Sequence, residues 1–209
     1  MTVYKTQIFE PNTKVYIDHF AGDVSARAEY RQSFTPDTTI TTIRLYLVID
    51  KIEVWNIFGG YWVDDTDKPT STSEIGFIIK VNGVEVKRGE NWRAEYQWEL
   101  DEKIAVDLTQ DNIKLDGSLN TIEVVYRKGS IGNPNSYQIW FESWIEVAAD
   151  EAPTETTVDI TPTTTREDVE PITTSYEMAG QLIQFMMMFM TMTIILNLIS
   201  YMIEGLTLG

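Results

Sequence analysis

Three aspartates, Asp64, Asp65 and Asp67, stand close together in the sequence DDTD and are a compact set of potential metal ligands. Carboxylate oxygens are the ligands that Ca²⁺ prefers in proteins. Three acids in a polar stretch between Trp62 and Pro69 are more typical of a solvated turn. We therefore predict no metal ion and no other cofactor, with Ca²⁺ at these aspartates as the alternative.

The chain contains one histidine, His19. A Ser-His-Asp triad or a histidine metal site would depend on that residue alone, and a single histidine in a strand is usually structural. The sequence also lacks a glycine-rich phosphate loop and a nucleophile elbow, and no two of its many acids are singled out as a catalytic pair. The expectation is a protein that is not an enzyme.

Two tryptophans, Trp140 and Trp144, fall on the same side of the alternating stretch YQIWFESWIEV. The other side carries Tyr137, Ile139, Phe141, Ile145 and Val147, which suit a core. Outward indoles with Glu142 between them are consistent with three roles. They could stack on sugar rings of a host glycan, pack against a neighbouring subunit, or belong to a core if both faces of the sheet are covered.

The net charge of the chain is −16, from 32 acidic and 16 basic residues. Such a chain repels a nucleic-acid backbone, and no basic patch or arginine-rich arm offsets this, so we predict no nucleic-acid partner. There is no cysteine, which excludes disulfides and thiolate metal sites. The first residues alternate polar and apolar side chains, so a signal peptide is not expected.

The elements that must position these residues are β-strands. TTIRLYLVI (41–49), WRAEYQWEL (92–100), LNTIEVVYRKG (119–129) and YQIWFESWIEV (137–147) alternate with period two. Asn82-Gly83 between two β-favouring runs predicts a hairpin, because both turn positions require positive φ. We predict that residues 1–149 form an all-β, antiparallel β-sandwich of about eight or nine strands.

The hairpin VNGVEV followed by VDLTQDNIKLDGSLNTIEVVY resembles a pattern of galactose-binding-like jelly rolls, over about residues 76–147. In the resembled pattern Gly117 and Asn120 form the turn that leads into the strand Thr121–Tyr126. The resemblance implies a jelly-roll fold. The family includes carbohydrate-binding modules, domains with a structural calcium and purely structural domains, so it indicates the fold more than the function.

Residues 150–175 hold nine threonines and three prolines and few large apolar side chains. This composition predicts an extended acidic linker or stalk, because it buries too little surface to offset its conformational entropy. The run that follows is apolar from Met178 to Ile203, about 39 Å as a helix, and predicts a C-terminal transmembrane helix within residues 176–209.

Polar residues within this helix form two stripes, which are predicted helix–helix contacts because an unpaired polar group is costly in lipid. One stripe consists of Thr193, Asn197, Ser200 and Glu204, and the other of Gln181, Gln184 and Thr191. The alternative is that Gln181 and Glu204 lie at the two membrane interfaces and Asn197 is a tolerated polar residue.

A β-sandwich, a stalk and a hydrophobic anchor together resemble membrane-associated structural proteins of archaeal viruses, such as turret, vertex or tail-nozzle subunits. The resemblance implies an oligomeric structural protein of the virion, whose partners are copies of itself, other virion structural proteins and a lipid membrane. The alternatives are a cellular surface-layer or adhesion protein with a glycan-binding sandwich, located at the cell membrane or surface, and an accessory domain of a carbohydrate-active enzyme.

Overall fold

A computed structural model describes residues 1–18, 23–56, 61–64, 75–90, 93–129 and 136–161. The described strands are β1 (Thr2–Ile17), β2 (Asp23–Ser33), β3 (Ile40–Asn56), β4 (Tyr61–Asp64), β5 (Ile75–Val81), β6 (Val84–Glu90), β7 (Ile104–Leu108), β8 (Asn120–Lys128), β9 (Tyr137–Ala149) and β10 (Glu155–Thr161). A short 3₁₀ turn spans Ala94–Tyr96. Within these ranges no helix has the length and apolar character needed to cross a bilayer.

The chain divides into two compact units, Met1–Thr165 and Arg166–Gly209. The second unit lies wholly outside the described residues. The predicted transmembrane helix and both of its polar stripes therefore lie outside them as well, as do His19, Asp65 and Asp67.

The strands form two sheets in which every pair is antiparallel. Sheet A has the order β1-β9-β3, and both β4 and β7 pair with the free edge of β3. Sheet B has the order β10-β2-β8-β5-β6. The expected all-β class and antiparallel sandwich are confirmed.

Strand β9 shows how the sequence produces the core. Tyr137, Ile139, Phe141, Ile145 and Val147 are all fully buried, and the even-numbered residues between them point to the other face of sheet A. The Phe141 ring lies 5.3 Å from that of Phe9 in sheet A and 5.2 Å from that of Tyr126 in sheet B, between ring centroids. The alternation thus places one side of β9 in the layer that joins the sheets.

The Asn82-Gly83 hairpin joins β5 and β6 as predicted, with φ of 51° and 80°. The Asn82 side chain also donates to the Asn120 Oδ1 and accepts from the Thr121 backbone N–H. Buried Asn120 in turn donates to the Lys114 carbonyl at 2.8 Å and accepts from the Lys114 N–H at 2.8 Å. These bonds fix the turn that leads into β8, where Gly117 has φ +87°.

The predicted strand at 92–100 is wrong. The chain turns after β6 through a hydrogen bond from the Arg93 N–H to the Glu90 carbonyl, and the 3₁₀ turn follows. Trp98 is then buried against Phe77 and over Gly89, where a Cβ would lie 2.7 Å from the indole. The alternating sequence did not predict this turn, because burial of the Trp98 ring outweighs the local preference for a strand.

The structure also moves the boundary between sandwich and stalk, predicted at residue 150. Strand β10 pairs with β2 from Glu155↔Ser33 to Thr161↔Arg27. Ahead of it, the Asp150 carboxylate accepts from the Thr39 N–H, and the Thr154 N–H donates to the Ser33 carbonyl. A strand held mainly by backbone hydrogen bonds needs few apolar side chains, which is why composition did not reveal it.

We expect a fragment of residues 1–161 to unfold cooperatively and a fragment of residues 1–149 to be less stable by about 2–4 kcal/mol. The shorter fragment loses the β10 ladder, the cover that Val158 gives the core and the bonds at residues 150–154. Urea unfolding followed by circular dichroism measures the difference. Equal midpoints would show that β10 adds nothing to the sandwich.

Candidate interaction surface

The outward side of sheet A carries a group of aromatic rings, each contacted by lysine side chains. We call it the aromatic–lysine face. Its members come from β9, from its neighbours β1 and β3, and from the segment before β7: Trp140, Trp144, Tyr46, Lys5, Lys14, Lys51 and Lys103. Antiparallel register brings them together, because Trp144 lies opposite Tyr46 of β3, and Trp140 lies between Lys14 of β1 and Lys51 of β3.

Trp144 is the more enclosed of the two tryptophans, with 6% of its surface exposed. Its ring stacks on Tyr46 at 5.1 Å between centroids, and its indole N–H donates to a Glu146 carboxylate oxygen at 2.9 Å. The Lys5 ammonium lies 4.3 Å from the Trp144 centroid, and the Lys103 ammonium lies 5.1 Å from Trp144 and 4.1 Å from Tyr46. Each ammonium is attracted to the electron-rich ring face.

Trp140 is half-buried and has no ring stacked on it among the described residues. The Lys14 ammonium lies 5.6 Å from its centroid and the Lys51 ammonium 5.1 Å from it. The two tryptophans are four residues apart on one strand, which separates them by about 13 Å. The face therefore presents two positions with cations around an indole, one at each end.

Neither tryptophan belongs to the cluster of buried residues between the sheets. They point away from that cluster, as the alternation of β9 predicts. The interface and glycan roles both remain predictions. The lysines around the rings were not found from the sequence, because their contacts depend on which strands become neighbours and in what register.

Four carboxylates on this face have a donor beside them. Glu53 pairs with Lys51 at 2.7 Å, and Asp107 pairs with Arg44 at 2.6 Å. Glu146 accepts from Trp144, and Glu142 accepts from Gln7 at 3.4 Å. In contrast, Lys5, Lys14 and Lys103 have no carboxylate partner in the part of the chain that the structure describes.

Two charged residues of β3, Asp50 and Arg44, have shifted pKa values. Partial burial raises the pKa of the Asp50 carboxyl above its ordinary value, and the charges of Glu142 and Asp101 raise this pKa further. A hydrogen bond with Asp107 raises the pKa of the Arg44 guanidinium. On the outward side of β9, the Glu142 carboxylate lies between the two tryptophans, and ammonium groups lie at each of them.

A further aromatic cluster extends sheet A beyond Trp140. The rings of Trp55 and Trp62 meet edge to face at 5.2 Å, and Trp62 meets Tyr16 at 5.9 Å. Trp55 lies directly opposite Trp62 in the β3–β4 pairing. These rings continue the aromatic character of the sheet toward the end of the sandwich at which β10 ends.

A charged group that the sequence analysis missed lies at the end of β6. Glu90 is 1% exposed, and its carboxylate is 3.3 Å from Arg127, 3.3 Å from Arg93 and 3.7 Å from Arg88. Gly76 lies between Glu90 and Arg127 in the register and has no side chain to separate them. The three arginines offset the negative charge of the buried Glu90 carboxylate. Their contacts also hold the segment that follows β6 against sheet B.

Beside this group, a cavity of about 480 Å³ is lined by residues that include Phe77, Arg88, Tyr96, Trp98 and Glu102. Arg88 donates to both Glu85 oxygens, at 2.7 and 2.6 Å, and its guanidinium lies 5.6 Å from the Tyr96 centroid. The Arg88 guanidinium is therefore already paired with a carboxylate and packed against a ring. No group of three or more metal-ligating side chains occurs within the described ranges.

The chain was compared with protein-family models and with curated proteins, and nothing matches it in either comparison.

We expect Trp144→Ala to lower the free energy of unfolding by about 3–5 kcal/mol and Trp140→Ala by roughly 1 kcal/mol. The difference follows from the stacked, enclosed ring of Trp144 and the half-exposed ring of Trp140. Urea unfolding of the two variants, with Gln110→Ala at an exposed position as the control, measures it. Similar losses for both tryptophans would contradict the described packing.

We expect Asp50→Asn to raise the free energy of unfolding at pH 7. Because the pKa of Asp50 is higher in the folded chain than in the unfolded chain, its charged form opposes folding above that pKa. The gain in the free energy of unfolding over the parent should shrink as the pH falls through the raised pKa. It should vanish below the ordinary aspartate pKa of about 4, where native Asp50 is itself protonated. Urea unfolding from pH 3 to 8, with exposed Asp111→Asn as the control, tests this; a gain independent of pH would contradict it.

Proposed function

We propose that the chain is a non-enzymatic structural subunit of a virion. Its β-sandwich forms part of an oligomeric vertex or tail assembly, and its C-terminal hydrophobic helix anchors it in the viral membrane or hydrophobic shell. The observation that carries this proposal is the aromatic–lysine face, which gives the sandwich a broad and chemically distinct outer surface.

Tryptophan and tyrosine are enriched where proteins contact one another, because they offer a large rigid area together with a polar edge. Stacking on a sugar needs a free ring face. The Trp144 face is covered by Tyr46 and flanked by two ammonium groups. This arrangement favours a protein partner, either another copy of the chain or another virion protein, whose side chains would pack on the lysine stems and the ring edges.

The remaining parts of the proposal rest on the sequence. The apolar run from Met178 to Ile203 is long enough to span a bilayer, so a lipid membrane is a proposed partner. Its two polar stripes, from Gln181 to Thr191 and from Thr193 to Glu204, are proposed contacts between helices of neighbouring subunits. The Gly117–Asn120 turn supports a jelly-roll domain related to galactose-binding-like domains, with a structural role.

A cellular surface-layer or adhesion protein is the second candidate. The half-buried Trp140 favours it, because part of its indole is accessible to a glycan. In that case the sandwich would bind polysaccharide, and Trp140→Ala would abolish the binding while leaving the fold intact.

Fractionation of the source organism separates the two candidates. We expect an antibody against the sandwich to detect the chain in purified particles, to label their vertices or tails by immunogold microscopy, and to find it in the detergent-soluble fraction. Recovery only in cell envelopes, together with polysaccharide binding that Trp140→Ala removes, would overturn the virion proposal in favour of the adhesion protein. Recovery of the chain only as a soluble monomer would overturn both.

A further inference from the structure

We infer that the aromatic–lysine face docks onto the acidic outer edge of sheet B of a second copy, and that this head-to-tail contact builds the oligomer. The inference rests on the proposed function, since it specifies how the subunits assemble. The acidic edge consists of Glu155 and Asp159 on β10 and Glu29 on β2.

The register of β10 on β2 places these acids on the outside of the sandwich. Val158 lies opposite buried Tyr30, so the side chains of even-numbered residues of β10 point inward. Glu155 and Asp159 therefore point outward, and both are exposed. Asp159 lies directly opposite Glu29, which adds a second carboxylate at that end.

The acids are unmatched in their own subunit. Among the described residues, none of the three forms an ion pair. Arg27 and Arg31 lie on the same side of β2 as Glu29, but neither forms an ion pair with these acids in the described residues. Arg27 donates to the Thr121 hydroxyl at 3.5 Å, and Arg31 donates to the Gly117 carbonyl at 3.4 Å. Like charges that face each other on neighbouring strands are unfavourable unless a partner offsets them.

The two surfaces match in spacing as well as in charge. Trp140 and Trp144, each with cations around it, are four residues apart on β9, and Glu155 and Asp159 are four residues apart on β10. Both spacings are therefore about 13 Å along a strand. Glu142, which lies between the tryptophans on β9, would repel a carboxylate placed there, which favours contact at the two ends.

The surfaces lie on opposite layers of the sandwich, so one subunit cannot join its own face to its own edge. A contact between two different surfaces is heterologous, and it generates a closed ring if the rotation between subunits closes. A ring of this kind suits a vertex or tail assembly with all anchors on one side.

The test uses charge reversal in the full chain, in detergent or lipid, with subunit number measured by native mass spectrometry and chemical cross-linking. The first variant carries Lys5→Glu and Lys14→Glu, and the second carries Glu155→Lys and Asp159→Lys. We expect each variant alone to associate at least about tenfold more weakly than the parent, because two attractive contacts per interface become repulsive. An equimolar mixture should assemble again, because each reversed surface then meets a complementary one.

The control variant, Lys87→Glu with Lys114→Glu, changes two exposed lysines outside both surfaces and should assemble like the parent. Thermal unfolding confirms that each variant is folded, and Lys5→Gln with Lys14→Gln gives a milder variant if the reversal is not tolerated. A parent oligomer that withstands both reversals, or variants that fail to recover on mixing, would overturn the docking inference and leave the proposed function in place. A parent that is monomeric in lipid would overturn both.

Discussion

The pairing of β9 with two neighbours, β1 on one side and β3 on the other, is the constraint on which the rest of the described structure depends. The thirteen residues of β9 are fixed in antiparallel register against β1 and β3. Both strands begin roughly a hundred residues or more before β9 in the chain. A shift of one residue would exchange the core side for the outer side. Phe141 would leave the layer between the sheets, and the tryptophans would enter it.

This register also creates the chemistry of the outer face. Lys14 and Lys51 come from different strands and meet at Trp140 only because β9 lies between them. In a chain of net charge −16, an exposed lysine would be expected to pair with an acid. On this face four carboxylates contact Arg44, Lys51, Gln7 and Trp144. The ammonium groups of Lys5, Lys14 and Lys103 lie against aromatic rings. A cation held in this way keeps much of its capacity to attract an anionic partner.

The edge of sheet B has the opposite character. Strand β10 contributes backbone hydrogen bonds and little apolar burial, and its outward residues are acidic or threonine. Charged residues on an edge strand discourage indiscriminate pairing with other strands. The same carboxylates can contact lysines on a partner surface. Charges that prevent unwanted strand pairing at this edge are therefore compatible with recognition by a specific partner.

The sequence by itself determined the fold class, the inward and outward sides of β9 and the Asn82-Gly83 hairpin. These depend on periodicity and turn chemistry, which are local. It also placed Trp140 and Trp144 on the side of β9 opposite Phe141. Tertiary structure alone decided that residues 92–100 turn so that Trp98 covers Gly89, that Glu155–Thr161 become a strand, and that lysines from three separate segments surround two indoles. Each of these results depends on which distant strand becomes a neighbour and in what register. Pairing between residues far apart in the chain is fixed by the burial of the whole core and not by any local pattern.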